Sequence, residues 1–133
     1  MIPQLKSIFN KNQWVQIQNW VNGRLSLKTD KFDANNTASG VSVVTLNTTS
    51  GIVTFTGSVD IFTNNPFTGF TVNNNKITTN TKIFHSLSYD SQNDGMCQIS
   101  SYVCFNGSVV FYLTNFTNES CDEPKIISFQ ILN

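Results

Sequence analysis

The feature that most constrains this chain is the regular return of short β-prone runs between clusters of Asn, Gly, Ser and Asp. From residue 41 onward these runs are rich in Val, Ile, Phe, Tyr and Thr, a composition typical of strands. Few segments show the 3.6-residue apolar period of an amphipathic helix. The pattern therefore predicts an all-β fold with eight strands, near 41–46, 51–56, 58–63, 67–73, 81–89, 97–105, 108–114 and 125–132.

Eight short strands with short turns favour two packed sheets, and we predict an antiparallel β-sandwich of jelly-roll-like form. Asn106-Gly107 predicts a tight hairpin, because both central residues of that turn must adopt positive φ. Successive side chains of a strand point to opposite faces. Alternation in the last two runs predicts core positions at Val109, Phe111, Leu113, Ile127, Phe129 and Ile131.

The first 40 residues differ from the rest of the chain. Residues 14–21, followed by Asn22-Gly23 and then by 24–27, predict a second hairpin. Asn, Thr, Ala, Ser and Gly at 33–40 indicate a linker or long loop. We therefore expect an N-terminal attachment arm at 1–40 and a β-sandwich domain at 41–133.

Both tryptophans lie in the predicted N-terminal hairpin. Two interpretations stay open: the hairpin forms a local mini-core, or it presents an apolar patch that docks onto a partner. The second interpretation, together with the outward face of the run at 108–114, yields a set of candidate partner-binding residues. These are Trp14, Val15, Ile17, Trp20 and Tyr112.

The charge content narrows the classes of function. Only 12% of the residues are charged, and eight basic residues balance eight acidic ones. Nucleic-acid binding needs clustered Lys and Arg to neutralise phosphates, and this chain has no such cluster, so we expect no nucleic-acid partner. A net charge near zero gives a free monomer little electrostatic protection against aggregation. The composition therefore favours a protein that is part of a larger assembly.

The chain has no apolar run of about 20 residues, so we expect no transmembrane helix and no membrane partner. The first nine residues also lack the apolar stretch of about 7 to 15 residues that defines a secretory signal.

Three cysteines leave one unpaired in any intramolecular scheme. We expect Cys97, Cys104 and Cys121 to be free thiols buried as small hydrophobic residues. A zinc site with His85 is disfavoured because the spacings match no common zinc motif.

The sequence offers no convincing catalytic group. His85 is the only histidine, and its neighbour Ser86 points to the opposite face of the same predicted strand. The loop at 90–95 carries carboxylates that could hold Ca²⁺, yet it lacks the full ligand loop of a known calcium motif. We therefore expect no enzyme activity, no catalytic residue, no metal and no cofactor.

The order of strands and turns also carries a family resemblance. The segments 50–56, 70–84, 106–115 and 125–131 follow one recurring pattern of strands and turns. In this pattern, 49–133 resembles a small β-sandwich domain found at the C-terminal ends of structural proteins of tailed phages and of some large DNA viruses. The resemblance implies that the protein is a fibre, decoration or minor capsid component of the virion. It also implies a homotrimer whose partner is a major capsid protein or a fibre or vertex protein.

The expected function is therefore that of a virion structural protein that binds other capsid subunits. The alternative is a receptor-binding, lectin-like tip that recognises glycans. For that alternative the candidate loops are 64–68 and 90–95, and the candidate stacking residues are Trp14, Trp20, Tyr102 and Tyr112.

Overall fold

The computed structural model describes residues 10–27, 32–60, 67–89 and 96–132. The chain divides into two compact units, Met1–Lys31 and Phe32–Asn133. The first unit contains one described helix, and the second contains two β-sheets. The boundary after residue 31 differs from the boundary after residue 40 that the sequence predicted.

The described part of the first unit is helix α1, Lys11–Leu27, so the predicted hairpin over 14–27 is wrong. The helix begins with a reciprocal capping box. The backbone N–H of Gln13 donates to Asn10 Oδ1 at 2.9 Å, and the backbone N–H of Asn10 donates to Gln13 Oε1 at 2.9 Å. These bonds satisfy donors that every helix leaves open at its first turn.

The spacing of the apolar residues also suits a helix. Trp14, Ile17 and Val21 are three and four residues apart and share one helix face. The alternation of apolar and polar residues at 15–18 suggested a strand, but four residues are too few to distinguish a strand from a helix. The capping pair Asn10 and Gln13 is the signal that the sequence interpretation missed.

The described residues of the second unit form eight strands, which is the number predicted. They are β1 Thr37–Gly40, β2 Val43–Thr45, β3 Ser50–Phe55, β4 Thr68–Asn73, β5 Lys82–Tyr89, β6 Cys97–Phe105, β7 Ser108–Asn115 and β8 Lys125–Leu132.

The strands form two four-stranded sheets, consistent with the predicted β-sandwich. Sheet A has the order β1-β3-β8-β5, and sheet B has the order β2-β4-β7-β6. Four of the six strand pairs are antiparallel, whereas β1 runs parallel to β3 and β2 runs parallel to β4. The antiparallel prediction is thus wrong for these two edge pairs, and the jelly-roll form stays a prediction.

The parallel pairs arise because one extended segment changes sheets. After β1 the chain bends at Val41 and Ser42 and continues as β2. On the sheet A side, the carbonyl oxygen of Gly40 accepts a hydrogen bond from the backbone N–H of Thr56, which follows β3, at 2.9 Å. On the sheet B side, the carbonyl oxygen of Ser42 accepts a hydrogen bond from the backbone N–H of Thr71 in β4 at 2.9 Å. This crossing links the two sheets along one side of the sandwich.

Two elements that the sequence predicted differ in the structure. Residues 33–40 are not a linker, because β1 occupies their second half. The strand predicted at 58–63 is reduced to an isolated bridge between Val59 and Cys121, and its residues 61–63 lie outside the described part of the chain.

The core between the sheets follows the alternation predicted from sequence. Val109, Phe111, Leu113, Ile127, Phe129 and Ile131 are all buried, which confirms the predicted inward faces of β7 and β8. Phe55 of sheet A and Phe70 of sheet B meet across the layer with ring centroids 4.9 Å apart. On the other face of β7, Val110 and Tyr112 are half-buried, while Thr114 is buried instead of exposed.

Gly40 is the residue on which the sheet crossing depends most directly. A Cβ atom there would lie well inside van der Waals contact with the Val43 carbonyl oxygen and 3.0 Å from Val44 Cγ1. We predict that Gly40→Ala lowers the free energy of unfolding by about 1–3 kcal/mol, measured by urea denaturation followed by circular dichroism. The control Ser39→Ala changes an exposed side chain of the same strand and should shift stability by less than about 0.5 kcal/mol. Equal losses in the two variants would contradict this account of the crossing.

Candidate functional site

The predicted partner-binding residues lie in both units. Trp14, Val15, Ile17 and Trp20 are on α1, where Trp20 is 63% exposed and Trp14 is half-buried. Ile17 and Trp20, with two glutamines of the same helix face, line a shallow groove of about 530 Å³. Tyr112 lies on β7 of the other unit.

Tyr112 belongs to an uncharged surface that we call the B face, the outer side of sheet B. A row of directly paired residues crosses all four strands: Val43 pairs with Thr71, Thr71 with Val110, and Val110 with Val103. The aromatic residues Tyr112 and Phe105 flank this row. The B face is defined as Val43, Thr71, Val103, Phe105, Val110 and Tyr112.

The position of Tyr112 on this face depends on a glycine. Gly69 is its directly opposite partner on β4. A Cβ atom at Gly69 would lie 3.4 Å from Tyr112 Cε1 and 3.2 Å from Val110 Cγ1, so both side chains lean over the bare glycine backbone. The glycine thereby leaves room for the side chains of Val110 and Tyr112.

One margin of the B face is strand β6, which lies at the edge of sheet B and, among the described strands, pairs only with β7. Its nine residues include no charged side chain and no proline, the devices with which proteins usually protect an exposed edge. A bulge between Ile99 and Ser101 interrupts the ladder near the middle. The stretch Ser101–Phe105 beyond the bulge is regular and carries two residues of the B face, Val103 and Phe105.

Sheet A carries a different surface feature, which we call the A groove. It is a depression of about 310 Å³ lined by Phe32, Phe84, Ser86, Ser128, Phe129 and Gln130. Phe84 is 68% exposed and Phe32 is 41% exposed. The segment that contains Phe32 is held against β3, because the backbone N–H of Asp33 donates to Ser50 Oγ at 2.9 Å. The A groove therefore combines aromatic rings with hydroxyl and amide groups.

His85 lies at the margin of the core. It faces inward from β5, and its ring contacts Tyr102 and Phe111 edge-on at centroid distances of 5.5 and 5.6 Å. Burial lowers the pKa of the His85 imidazole from its ordinary value of 6.5. Ser86 is exposed on the opposite face, so strand alternation separates the two residues as the sequence predicted.

Tyr102, a predicted sugar-stacking residue, also faces inward. Its hydroxyl accepts a hydrogen bond from the backbone N–H of Ile83 at 3.2 Å, which links edge strand β6 to edge strand β5. Its half-buried ring lies against His85 and Phe111. The prediction of a surface stacking role for Tyr102 is therefore wrong.

A polar cluster is buried at one end of the sandwich. The Sγ atoms of Cys97 and Cys121 are 3.1 Å apart, and both residues belong to the core. The fully buried Lys125 donates from Nζ to the carbonyl oxygens of Cys121 and of Gly57, the latter at 2.8 Å. Burial, followed by the hydrogen bond with Cys121, raises the pKa of the Cys97 thiol to about 12.

Asn115 completes this cluster. Its buried side-chain amide donates to the carbonyl oxygens of Glu119 at 2.7 Å and Val59 at 3.2 Å, while its Oδ1 accepts from the Thr117 N–H at 2.9 Å. The backbone between β7 and β8 is thus fastened by buried side chains, which supply the hydrogen bonds that a sheet would otherwise provide.

The sequence contained a signal for part of this cluster. Lys125 has the same strand parity as the core residues Ile127, Phe129 and Ile131, so alternation alone places it inward. The predicted burial is confirmed for Cys97 and Cys121, whereas Cys104 is half-buried. The closeness of Cys97 and Cys121 had no sequence signal, because the two residues meet only through the packing of β6 against the segment before β8.

Among the described residues, no group of three or more His, Cys, Asp or Glu side chains could hold a metal ion. The candidate calcium loop at 90–95 and most of the candidate glycan loop at 64–68 lie outside the described residues. Helix α1, the one helix of the described ranges, is too short or too polar to cross a membrane. No protein-family model, curated protein or solved structure matches the chain.

The burial of His85 predicts a pH effect on stability. Since the folded-state pKa lies below the unfolded value of 6.5, the unfolded chain takes up this proton first. The contribution of neutral His85 is complete above pH 6.5 and is lost as the pH falls from there through the lower folded-state pKa. We expect the wild-type midpoint of thermal unfolding to drop between pH 7.5 and pH 5 by more than that of His85→Phe.

The two proteins differ only at residue 85, so the difference between the two profiles isolates His85. Ser86→Ala, an exposed change on the same strand, should keep the wild-type profile. Parallel profiles for wild type and His85→Phe would contradict the role of burial.

Proposed function

We propose that this chain is a non-enzymatic structural module of a virus particle that binds other capsid or fibre subunits through the B face. The viral setting rests on the resemblance of the segments 50–56, 70–84, 106–115 and 125–131 to the small β-sandwich domain of phage and large-DNA-virus structural proteins. The jelly-roll form and the trimeric state belong to the same proposal.

The observation that carries the binding proposal is the uncharged, β-branched and aromatic character of the B face. Burying such a surface removes apolar area from water without stripping water from charges, which would oppose association. Aromatic residues with few charged residues are also what the centres of protein interfaces contain. Val43, Val103 and Phe105 are each about half exposed, so they retain area that a partner can cover.

The size of the B face limits the strength of a single contact. Four strands about 4.8 Å apart and three residue rows about 7 Å apart span on the order of 400 Å². A stable pairwise interface buries about 800 Å² on each partner. One B face therefore supports a weak contact, which gains strength when β6 also pairs with a partner strand or when many copies bind in one array.

Matched substitutions on the two sheet faces test this proposal. We expect Phe105→Glu to abolish self-association and binding to particles, because it buries a charge in the contact. Phe84→Glu introduces the same charge on sheet A and should retain both. The measurements are sedimentation velocity of the full chain at micromolar concentration and co-sedimentation with particles purified from its source.

Circular dichroism of both variants checks that the sandwich is intact. Equal behaviour of Phe105→Glu and Phe84→Glu would contradict the assignment to the B face. A wild-type chain that is monomeric and absent from particles would overturn the structural proposal itself.

The A groove favours a second candidate function, recognition of a neutral glycan. Sugar rings present C–H faces that stack on aromatic rings and hydroxyls that hydrogen-bond with Ser, Gln and backbone groups. Phe32 and Phe84 supply the rings, while Ser86, Ser128 and Gln130 supply polar groups beside them. Every side chain that lines the groove is uncharged, which suits a neutral ligand.

A glycan array with the recombinant chain tests this second candidate. We expect binding of neutral glycans to fall by about two- to tenfold in Phe84→Ala, since one stacking ring contributes roughly 0.5–1.5 kcal/mol. Phe105→Ala, on the opposite sheet, should bind like wild type. Absence of any hit for the wild-type chain would remove this candidate and leave the subunit-binding proposal standing.

A further inference from the structure

Two of the three cysteines are held face to face by separate parts of the backbone. Cys97, the first residue of β6, is paired with Asn115 of β7. Cys121 is fixed by its bridge with Val59, in which each backbone N–H donates to the other carbonyl at 3.0 and 3.1 Å. The 3.1 Å between the Sγ atoms is therefore a consequence of the fold around both residues.

The distance between the two Sγ atoms is only about 1 Å longer than a disulfide bond. A disulfide joins its sulfurs at about 2.05 Å, so the sulfurs need to approach by only about 1 Å. Cys104, the third cysteine, is half-buried farther along β6.

We propose that Cys97 and Cys121 form a structural disulfide, introduced during folding by exchange with a low-molecular-weight disulfide. The thiolate of one cysteine attacks the small disulfide, forms a mixed disulfide and releases one small thiolate. The thiolate of the second cysteine then attacks the protein sulfur of that mixed disulfide and releases the other small thiolate. The two cysteines lose two electrons in total, the small disulfide gains them, and the two protons go to the released thiolates.

The burial of the pair places this reaction before the core closes. In the folded chain both cysteines are buried, and burial raises the pKa of the Cys97 thiol, so the reactive thiolate is scarce and shielded from a small disulfide. In the unfolded chain both thiols are accessible. For the same reason the finished bond is shielded from reductants, which makes the disulfide a lasting part of the structure.

The bond would tie together parts of the fold that are joined only by noncovalent contacts. It closes a loop of about 25 residues, and in the chain-entropy treatment this restricts the unfolded state appreciably. Cys97 begins edge strand β6, and Cys121 precedes the entry into β8 of sheet A. The disulfide thus links sheet B, at the start of the strand that borders the B face, to the segment that leads into sheet A.

The test compares the full chain refolded with oxidised glutathione and with a phosphine reductant. After oxidative refolding we expect a mass lower by two hydrogen atoms, one free thiol in the denatured protein, and a peptide that joins Cys97 to Cys121. The midpoint of thermal unfolding should be about 10 °C higher than that of the reduced protein. Cys104→Ser should give the same crosslinked peptide and the same rise.

Thiol counting and peptide mapping are done on the wild-type chain. The test therefore does not depend on whether the variants Cys97→Ser and Cys121→Ser can fold. Three free thiols after oxidative refolding, or glutathione left attached to Cys97 or Cys121, would overturn the proposal. A crosslink that includes Cys104 would overturn it as well.

Discussion

The apolar layer between the two sheets is the contact on which the other features of the sandwich depend. Phe55, Phe70, Phe111 and Phe129 are almost completely buried in it, and each buried aromatic ring removes a large apolar area from water. Because side chains alternate along a strand, burying these rings also determines which residues face outward. The side chains of the B face, and Phe84 and Ser86 of the A groove, therefore occupy the strand positions that the core leaves facing outward.

The two sides of the sandwich are built differently. On one side a continuous segment passes from sheet A to sheet B at Gly40, so neighbouring backbone groups are paired across the crossing. On the other side β5 and β6 end their sheets, and Tyr102 connects them through its hydrogen bond to Ile83. Strand edges are where proteins accept further strands. The side formed by β5 and β6 thus adds pairing capacity beside the uncharged B face.

The buried polar cluster at one end of the sandwich holds the backbone in place where the chain is not part of a regular sheet. The side chains of Lys125 and Asn115 donate hydrogen bonds to four backbone carbonyl oxygens, those of Gly57, Val59, Glu119 and Cys121. Burying these donors and acceptors without hydrogen-bond partners would be energetically costly. These bonds hold Cys121 beside Cys97. A cluster that secures the connection before β8 therefore also creates the sulfur pair for which we propose a covalent link.

Seven of the eight described strands, β2 to β8, and the inward faces of β7 and β8 were determined by the sequence itself, because a period of two in apolar residues and turn-forming clusters are local signals. Ile127, Phe129 and Ile131 could be assigned to the core on that basis, and Lys125 could have been assigned with them. Helix α1 was also encoded locally, in the capping pair Asn10 and Gln13, yet a short alternation concealed it. Only the tertiary structure decided which strands pair, where the chain crosses between sheets, and that Val43, Thr71, Val110 and Val103 form one row. The physical reason is that these features depend on contacts between residues far apart in the chain, and a local pattern carries no information about which distant partner packs best.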